Sequence, residues 1–106
     1  MEKSDWTISD ILQLSGSYWS ACALHAGVRL DVFTPLNGVP LSVAEVAAAC
    51  HCDPRAMEML LDALAAIGLI DKQANGFINT GFAGQYLAKN APGYLGHIIR
   101  HHHHLM

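Results

Sequence analysis

Three potential soft metal ligands occur consecutively at Cys50-His51-Cys52. Thiolate and imidazole groups are the usual ligands of structural zinc, but such sites pair cysteines two to four residues apart with a second ligand pair elsewhere. Only one closely spaced pair is present here. The pattern therefore favours packing of Cys50 beside an incidental turn, and no metal ligand is predicted. A metal-responsive pair at Cys50 and Cys52 is kept as the alternative.

A second group of potential ligands lies near the end of the chain. His97, His101 and His104 follow each other at four- and three-residue steps and would share one face of a helix, where two of them could chelate a metal. His102 and His103 would point elsewhere, so the cluster cannot converge on one ion. The pattern favours a polar face lining a cleft over a metal site.

Motifs of nucleotide-binding and catalytic loops are missing from the sequence. It contains no P-loop, GxGxxG, GxSxG or HExxH pattern, and its acidic residues are dispersed. No catalytic and no cofactor-binding residue is predicted.

The best-marked element that could position these groups is a helix over Asp53–Gly68. Asp53 can cap the free amides of its first turn, Pro54 suits the first helical position, and Gly68 supplies a left-handed end. Its apolar residues recur at three- and four-residue steps, which places them on one face. They are Met57, Leu60, Leu61, Leu64 and Ile67.

The remaining elements predict a mainly α chain in the order of a winged helix-turn-helix. Ser42 and Glu45 form a capping box for a helix ending near Cys50. A hairpin is predicted around Asn75–Gly76, and a short helix capped by Thr80 follows.

Two further helical regions flank this module. Residues 8–25 predict an N-terminal helix that is apolar over much of its circumference. Gly27 is expected to separate it from a short helix over Val28–Phe33. A last helix begins near Tyr94 and is expected to continue past Met106, which indicates a fragment of a longer protein.

Composition predicts that another surface covers part of this chain. Its 106 residues are 52% hydrophobic and only 14% charged, whereas about 25% charged is ordinary. A small domain cannot bury that many apolar side chains. No apolar run is longer than that of Ala63–Ile67, which is far too short for a membrane span. We therefore expect a subunit interface or a second domain, and no membrane.

Two further features concern location and nucleic acid. The N-terminus lacks the apolar core of a signal peptide, and three cysteines suit a reducing cytoplasm. The net charge is −3. The helix that would read DNA presents Arg55, Glu58 and Asp62, whereas duplex binding requires several cations. No nucleic-acid partner is predicted.

Four segments in this order resemble a known family. They are ACALHAGVRLDVFTPL, PLSVAEVAAAC, MEMLLDALAAIGLI and GFINTGFAGQYLAKNAPGYLG. Together they are similar to the N-terminal dimerisation domain of S-adenosylmethionine-dependent O-methyltransferases of the caffeate and acetylserotonin type, with bacterial relatives. The resemblance covers residues 8–106.

The resemblance implies a winged-helix fold used for dimerisation, with N-terminal dimerisation helices and a small hairpin wing. Residues 1–93 would form this domain, and residues 94–106 would begin a helix leading to a missing catalytic domain, which holds the S-adenosylmethionine (SAM). This fragment would be inactive and would not bind SAM. By position, the family's contacts to the small-molecule acceptor fall on Tyr18, Trp19, Ile99, Arg100, His101 and His102.

The sequence thus predicts a homodimer-forming, substrate-capping domain of a SAM-dependent small-molecule O-methyltransferase. A winged-helix transcriptional regulator, metal-responsive through Cys50 and Cys52, is the alternative.

Overall fold

The structure is a computed structural model that describes residues 5–104, and the side chains as far as residue 102. The expected continuation of the last helix through Leu105 and Met106 lies outside the described residues. Five helices and one hairpin follow in sequence. They are α1 (Ile8–Leu30), α2 (Val43–Cys50), α3 (Pro54–Ile67), β1 (Ile70–Gln73), β2 (Gly76–Asn79), α4 (Gly81–Tyr86) and α5 (Gly96–His104).

α1 begins at a reciprocal cap and is one uninterrupted helix. The Thr7 hydroxyl accepts from the Asp10 amide, and the Asp10 carboxylate accepts from the Thr7 amide. The helix continues through Gly27 to Leu30, where Asp31 adopts a left-handed φ of 57°. The predicted break at Gly27 and the separate helix over Val28–Phe33 were therefore wrong.

The reason for Gly27 is close packing. A Cβ on this residue would lie 3.0 Å from Cε2 of Phe33 and 3.1 Å from Cδ1 of Leu64. Because glycine carries no side chain, α1 can approach both residues closely without a break in its backbone.

α2 and α3 form the helix-turn-helix, and their predicted caps are confirmed. The Ser42 hydroxyl accepts from the Glu45 amide, and the Asp53 carboxylate accepts from the Ala56 amide. His51 ends α2 in a left-handed conformation with φ 57°, and Gly68 ends α3 with φ 98°.

β1 and β2 form the wing. They pair antiparallel, with Ile70 opposite Asn79 and Gln73 opposite Gly76. Leu41 adds a short bridge to Phe77 on the other edge of β2, and this joins the wing to the entry of α2. The mainly α, winged helix-turn-helix prediction is confirmed, with one N-terminal helix in place of two helical segments.

One core joins all these elements. α3 packs against α1, α2 and β1, and α5 packs against α1. The buried side chains that form this core are Val28, Val32, Phe33, Leu36, Val46, Ala47, Met57, Leu61, Leu64, Ile70, Phe77, Ala83, Leu87 and Ile99. Within the described residues, no helix combines the length and apolarity that a bilayer crossing needs.

Candidate functional site

The first three turns of α1 carry an exposed apolar surface, which we call the apolar arm (residues 8–19). None of these residues is buried. Asp10 is the one charged residue of the segment. Every large apolar side chain of the arm is at least half exposed, from Ile11 at 50% to Ile8 at 81%. The others are Leu12, Leu14, Tyr18 and Trp19.

The two aromatic residues of the arm lie side by side. The ring centroids of Tyr18 and Trp19 are 5.4 Å apart, at an interplanar angle of 55°. Trp19 is 68% exposed. Tyrosine and tryptophan are enriched at the centres of protein interfaces, where charged residues are depleted, and the arm has both properties.

α5 has a buried side and an exposed side, and the exposed side carries Ile98 as well as histidines. Ile99 reaches into the core, whereas His101 and His102 are exposed. Arg100 is half-buried, and its Nη2 lies 3.3 Å from Nδ1 of His97. The ring of Tyr94 meets the His97 ring edge to face, with centroids 5.2 Å apart.

The six residues predicted to contact an acceptor therefore fall into two groups. Tyr18 and Trp19 lie on the apolar arm, and the other four lie on α5, which packs against α1. Ile99 differs from the rest because its side chain belongs to the core. The assignment of these residues to a substrate pocket stays a prediction.

The thiols of Cys50 and Cys52 face backbone carbonyls. Cys50 Sγ lies 3.9 Å from the Asp31 carbonyl oxygen, and Cys52 Sγ lies 3.3 Å from that of Cys50. Burial raises the pKa of the Cys50 thiol, with smaller contributions from Cys52 and Asp31. Within the part of the chain that the structure describes, no three His, Cys, Asp or Glu side chains converge as metal ligands.

The outer surface of α3 and the wing carries few cations. Lys72 of the wing pairs with Asp62 of α3, with Nζ 3.0 Å from Oδ1. Arg55 and Glu58 are exposed on the same helix. A surface with so few unpaired cations offers little attraction to a phosphate backbone.

The structure also shows a groove that no sequence pattern indicated. It has a volume of about 560 Å³ and is lined by Asn37, Gly84, Gln85, Tyr86 and residues 90–93. Behind it, the Asn79 amide group donates to the Phe33 carbonyl at 2.7 Å and to Oδ1 of Asn37 at 3.2 Å. These partners are more than 40 residues apart in the chain, so no local signal reveals them.

Fold and surface together define a winged-helix domain. It has few cations on α3, the helix that would read DNA and that we call the reading helix, and it has an exposed apolar N-terminal helix. The family model described as the O-methyltransferase dimerisation domain matches residues 12–89. The chain belongs to this family, as its sequence resemblance implied.

Similar proteins include bacterial and human methyltransferases. The chain is 37% identical over 92 residues to "Tetracenomycin polyketide synthesis 8-O-methyl transferase TcmO" of Streptomyces glaucescens, covering 86% of this chain and 27% of that protein. It is similar to the structure "PigF with SAH", with a TM-score of 0.85 and 29% identity, covering 92% of this chain and 29% of that one.

Human N-acetylserotonin methyltransferase, solved in complex with SAM, has the same fold, with a TM-score of 0.82 and 25% identity; the match covers 95% of this chain and 31% of the human chain. This chain thus spans less than a third of the length of these relatives. None of the matches supports the transcriptional-regulator alternative.

Proposed function

We propose that a second copy of this chain covers the apolar arm, so that the domain forms a homodimer. The observation that carries this proposal is the exposure of six large apolar side chains on the apolar arm. Exposed apolar patches of this kind mark interaction sites, because monomeric proteins rarely leave them uncovered. The near-absence of charge on the arm suits an apolar partner surface, which the same arm on a second copy provides.

For the complete protein we propose SAM-dependent methyl transfer to a small-molecule acceptor oxygen. The family membership and the methyltransferase relatives support this reaction. SAM would be bound outside residues 1–106, since this sequence carries no glycine-rich nucleotide-binding motif. The contribution of this domain would be to exclude water and to hold the acceptor in place, which lowers the entropic part of the barrier.

We assign the acceptor contacts to the two groups of residues on α1 and α5. Tyr18 and Trp19 would provide flat apolar contact area, and Arg100, His101 and His102 would provide hydrogen-bond donors. Ile99 would act from the core by fixing the position of α5.

We further propose that the domain has no nucleic-acid partner and works in the cytoplasm. The Lys72–Asp62 pair and the net charge of −3 support the first statement. The free thiols of Cys22, Cys50 and Cys52 support the second, because such thiols persist in reducing compartments.

The test of the homodimer compares two charge insertions by light scattering. Trp19→Glu places a charge in the apolar arm, and Val39→Glu places one on an exposed apolar residue in the loop before α2. We expect the dimer to be lost in the first variant and kept in the second. A dimer that survives Trp19→Glu would overturn the proposal.

Two binding measurements distinguish the transcriptional-regulator alternative from the proposed dimerisation domain. A salt-dependent shift with mixed-sequence duplex DNA would favour a regulator, as would tight zinc binding that Cys52→Ser abolishes. We expect neither.

A further inference from the structure

We infer that the apolar arm is helical only while a second copy of the chain covers it, so that its folding is coupled to dimerisation. This inference rests on the proposed homodimer and adds a statement about what the lone chain does. It makes the arm a segment that orders on binding.

Within the part of the chain that the structure describes, no residue of the arm is buried. Its residues are exposed or half-exposed, and Leu12 is 65% and Leu14 59% exposed. Most helices in proteins owe their stability to an apolar face packed on a core, and extending a helix without such packing gains little free energy in water. Among the described residues, the arm has no buried face of this kind, so this part of α1 is only marginally stable as a helix.

The residues of the arm also weaken the helix locally. Ser15, Gly16 and Ser17 follow each other in its third turn. Glycine is the least favourable helix residue after proline. The Ser17 hydroxyl donates to the Leu14 carbonyl at 2.8 Å, a contact that competes with the backbone ladder. The Thr7–Asp10 cap stabilises only the first turn.

The other end of α1 provides the contrast. Gly27 and Val28 are buried, and Gly27 lies against Phe33 and Leu64 of the core. This end is held by packing within the same chain. We therefore expect the boundary between permanent and partner-dependent helix to lie between Trp19 and Gly27.

A second copy of the chain is the partner that fits the arm. Its surface carries a single charged side chain, Asp10, and so offers little to a charged partner. The family to which the chain belongs is described as a dimerisation domain. One consequence is that Tyr18 and Trp19 reach a fixed position only in the dimer. The proposed acceptor pocket would then be incomplete in a monomer.

Amide hydrogen exchange measured by mass spectrometry tests the inference on the 106-residue chain. In the wild-type dimer we expect amides of residues 11–19 to exchange more than about 100-fold more slowly than in unstructured peptide. In a Leu12→Glu monomer the same amides should be slowed by less than about tenfold, with α3 still protected. Diluting the wild-type chain until it dissociates repeats the comparison without a substitution, and the dimeric Val39→Glu variant is the matched control.

A second substitution tests the local weakness of the arm. A Cβ on Gly16 would meet only the Trp19 ring, at an ordinary 3.6 Å. In the Leu12→Glu background, Gly16→Ala should therefore slow exchange in the arm about fivefold, as expected from the helix propensities of the two residues.

The outcomes distinguish the two proposals. If the chain dimerises but the amides of the arm are protected to the same degree in the monomer and in the dimer, the coupled folding is overturned and the homodimer proposal stands. A wild-type chain that stays monomeric at every concentration would overturn both.

Discussion

Asp62 of α3 and Lys72 of β1 are joined by an ion pair, with Oδ1 and Nζ 3.0 Å apart. The Lys72 ammonium also lies 5.6 Å from the centroid of the Phe77 ring. A wing cation that could face a phosphate backbone is thus held against the reading helix and the wing. The chain thus has a winged-helix fold, but the outer surface of α3 and the wing, which would face DNA, carries little net charge.

We predict that Asp62→Asn changes the free energy of unfolding by less than about 1 kcal/mol, because both partners are largely exposed to water. Urea denaturation at one fixed protein concentration measures this difference. A loss above about 2 kcal/mol would show that the pair holds the wing in place and would contradict this prediction.

Gly76, the glycine of the wing, is predicted to be intolerant of substitution. Its φ is 141°, and a Cβ there would collide with the carbonyl of Leu41. Gly76→Ala should lower the free energy of unfolding by about 1–3 kcal/mol. Gly81→Ala is the matched control, since a Cβ there meets nothing within 4 Å. Equal effects of the two substitutions would argue against the strain at Gly76.

The capping box of α2 predicts a pH dependence. Hydrogen bonds from the Ser42 amide and hydroxyl hold the pKa of Glu45 below its ordinary 4.5. Because the folded-state pKa is the lower one, the stabilisation is present above pH 4.5 and is lost as the pH falls through the folded value. Glu45→Gln should remove this part of the acid sensitivity. Thermal unfolding of the wild type and of Glu45→Gln, measured at pH values above and below 4.5, tests this. Melting temperatures that fall in parallel as the pH is lowered would contradict the prediction.

The thiols of Cys22 and Cys50 are predicted to react at different rates. Cys22 is exposed on α1, whereas burial raises the pKa of Cys50 and lowers its thiolate fraction. Iodoacetamide should therefore alkylate Cys22 of the Trp19→Glu variant faster than Cys50, as followed by peptide mass spectrometry. In the wild-type dimer we expect Cys22 to be protected. Faster reaction at Cys50 would contradict the burial argument.

Local signals predicted the helix ends because caps are determined by neighbouring residues. The capping residues act within one turn of the helix end that they mark. They are Ser42 with Glu45 for α2, and Asp53 and Gly68 for α3. Gly27 misled the prediction because its role is tertiary. It permits close contact with Phe33 and Leu64, and a sequence pattern cannot distinguish this role from a helix break.

The candidate site was predictable only in part for the same reason. The apolar excess of residues 8–25 was visible as composition and periodicity, so the exposed arm could be expected. The Asn37–Asn79 contact and the bond from the Lys89 amide to the Thr34 hydroxyl join distant parts of the chain. Such contacts follow from the packing of the whole domain and leave no local pattern.

The homodimer is tested most simply by the molar mass of the unmodified chain, measured by sedimentation equilibrium over a range of concentrations. We expect a species of twice the 11.4 kDa chain mass that dissociates on dilution. A single species of 11.4 kDa at every concentration would contradict it.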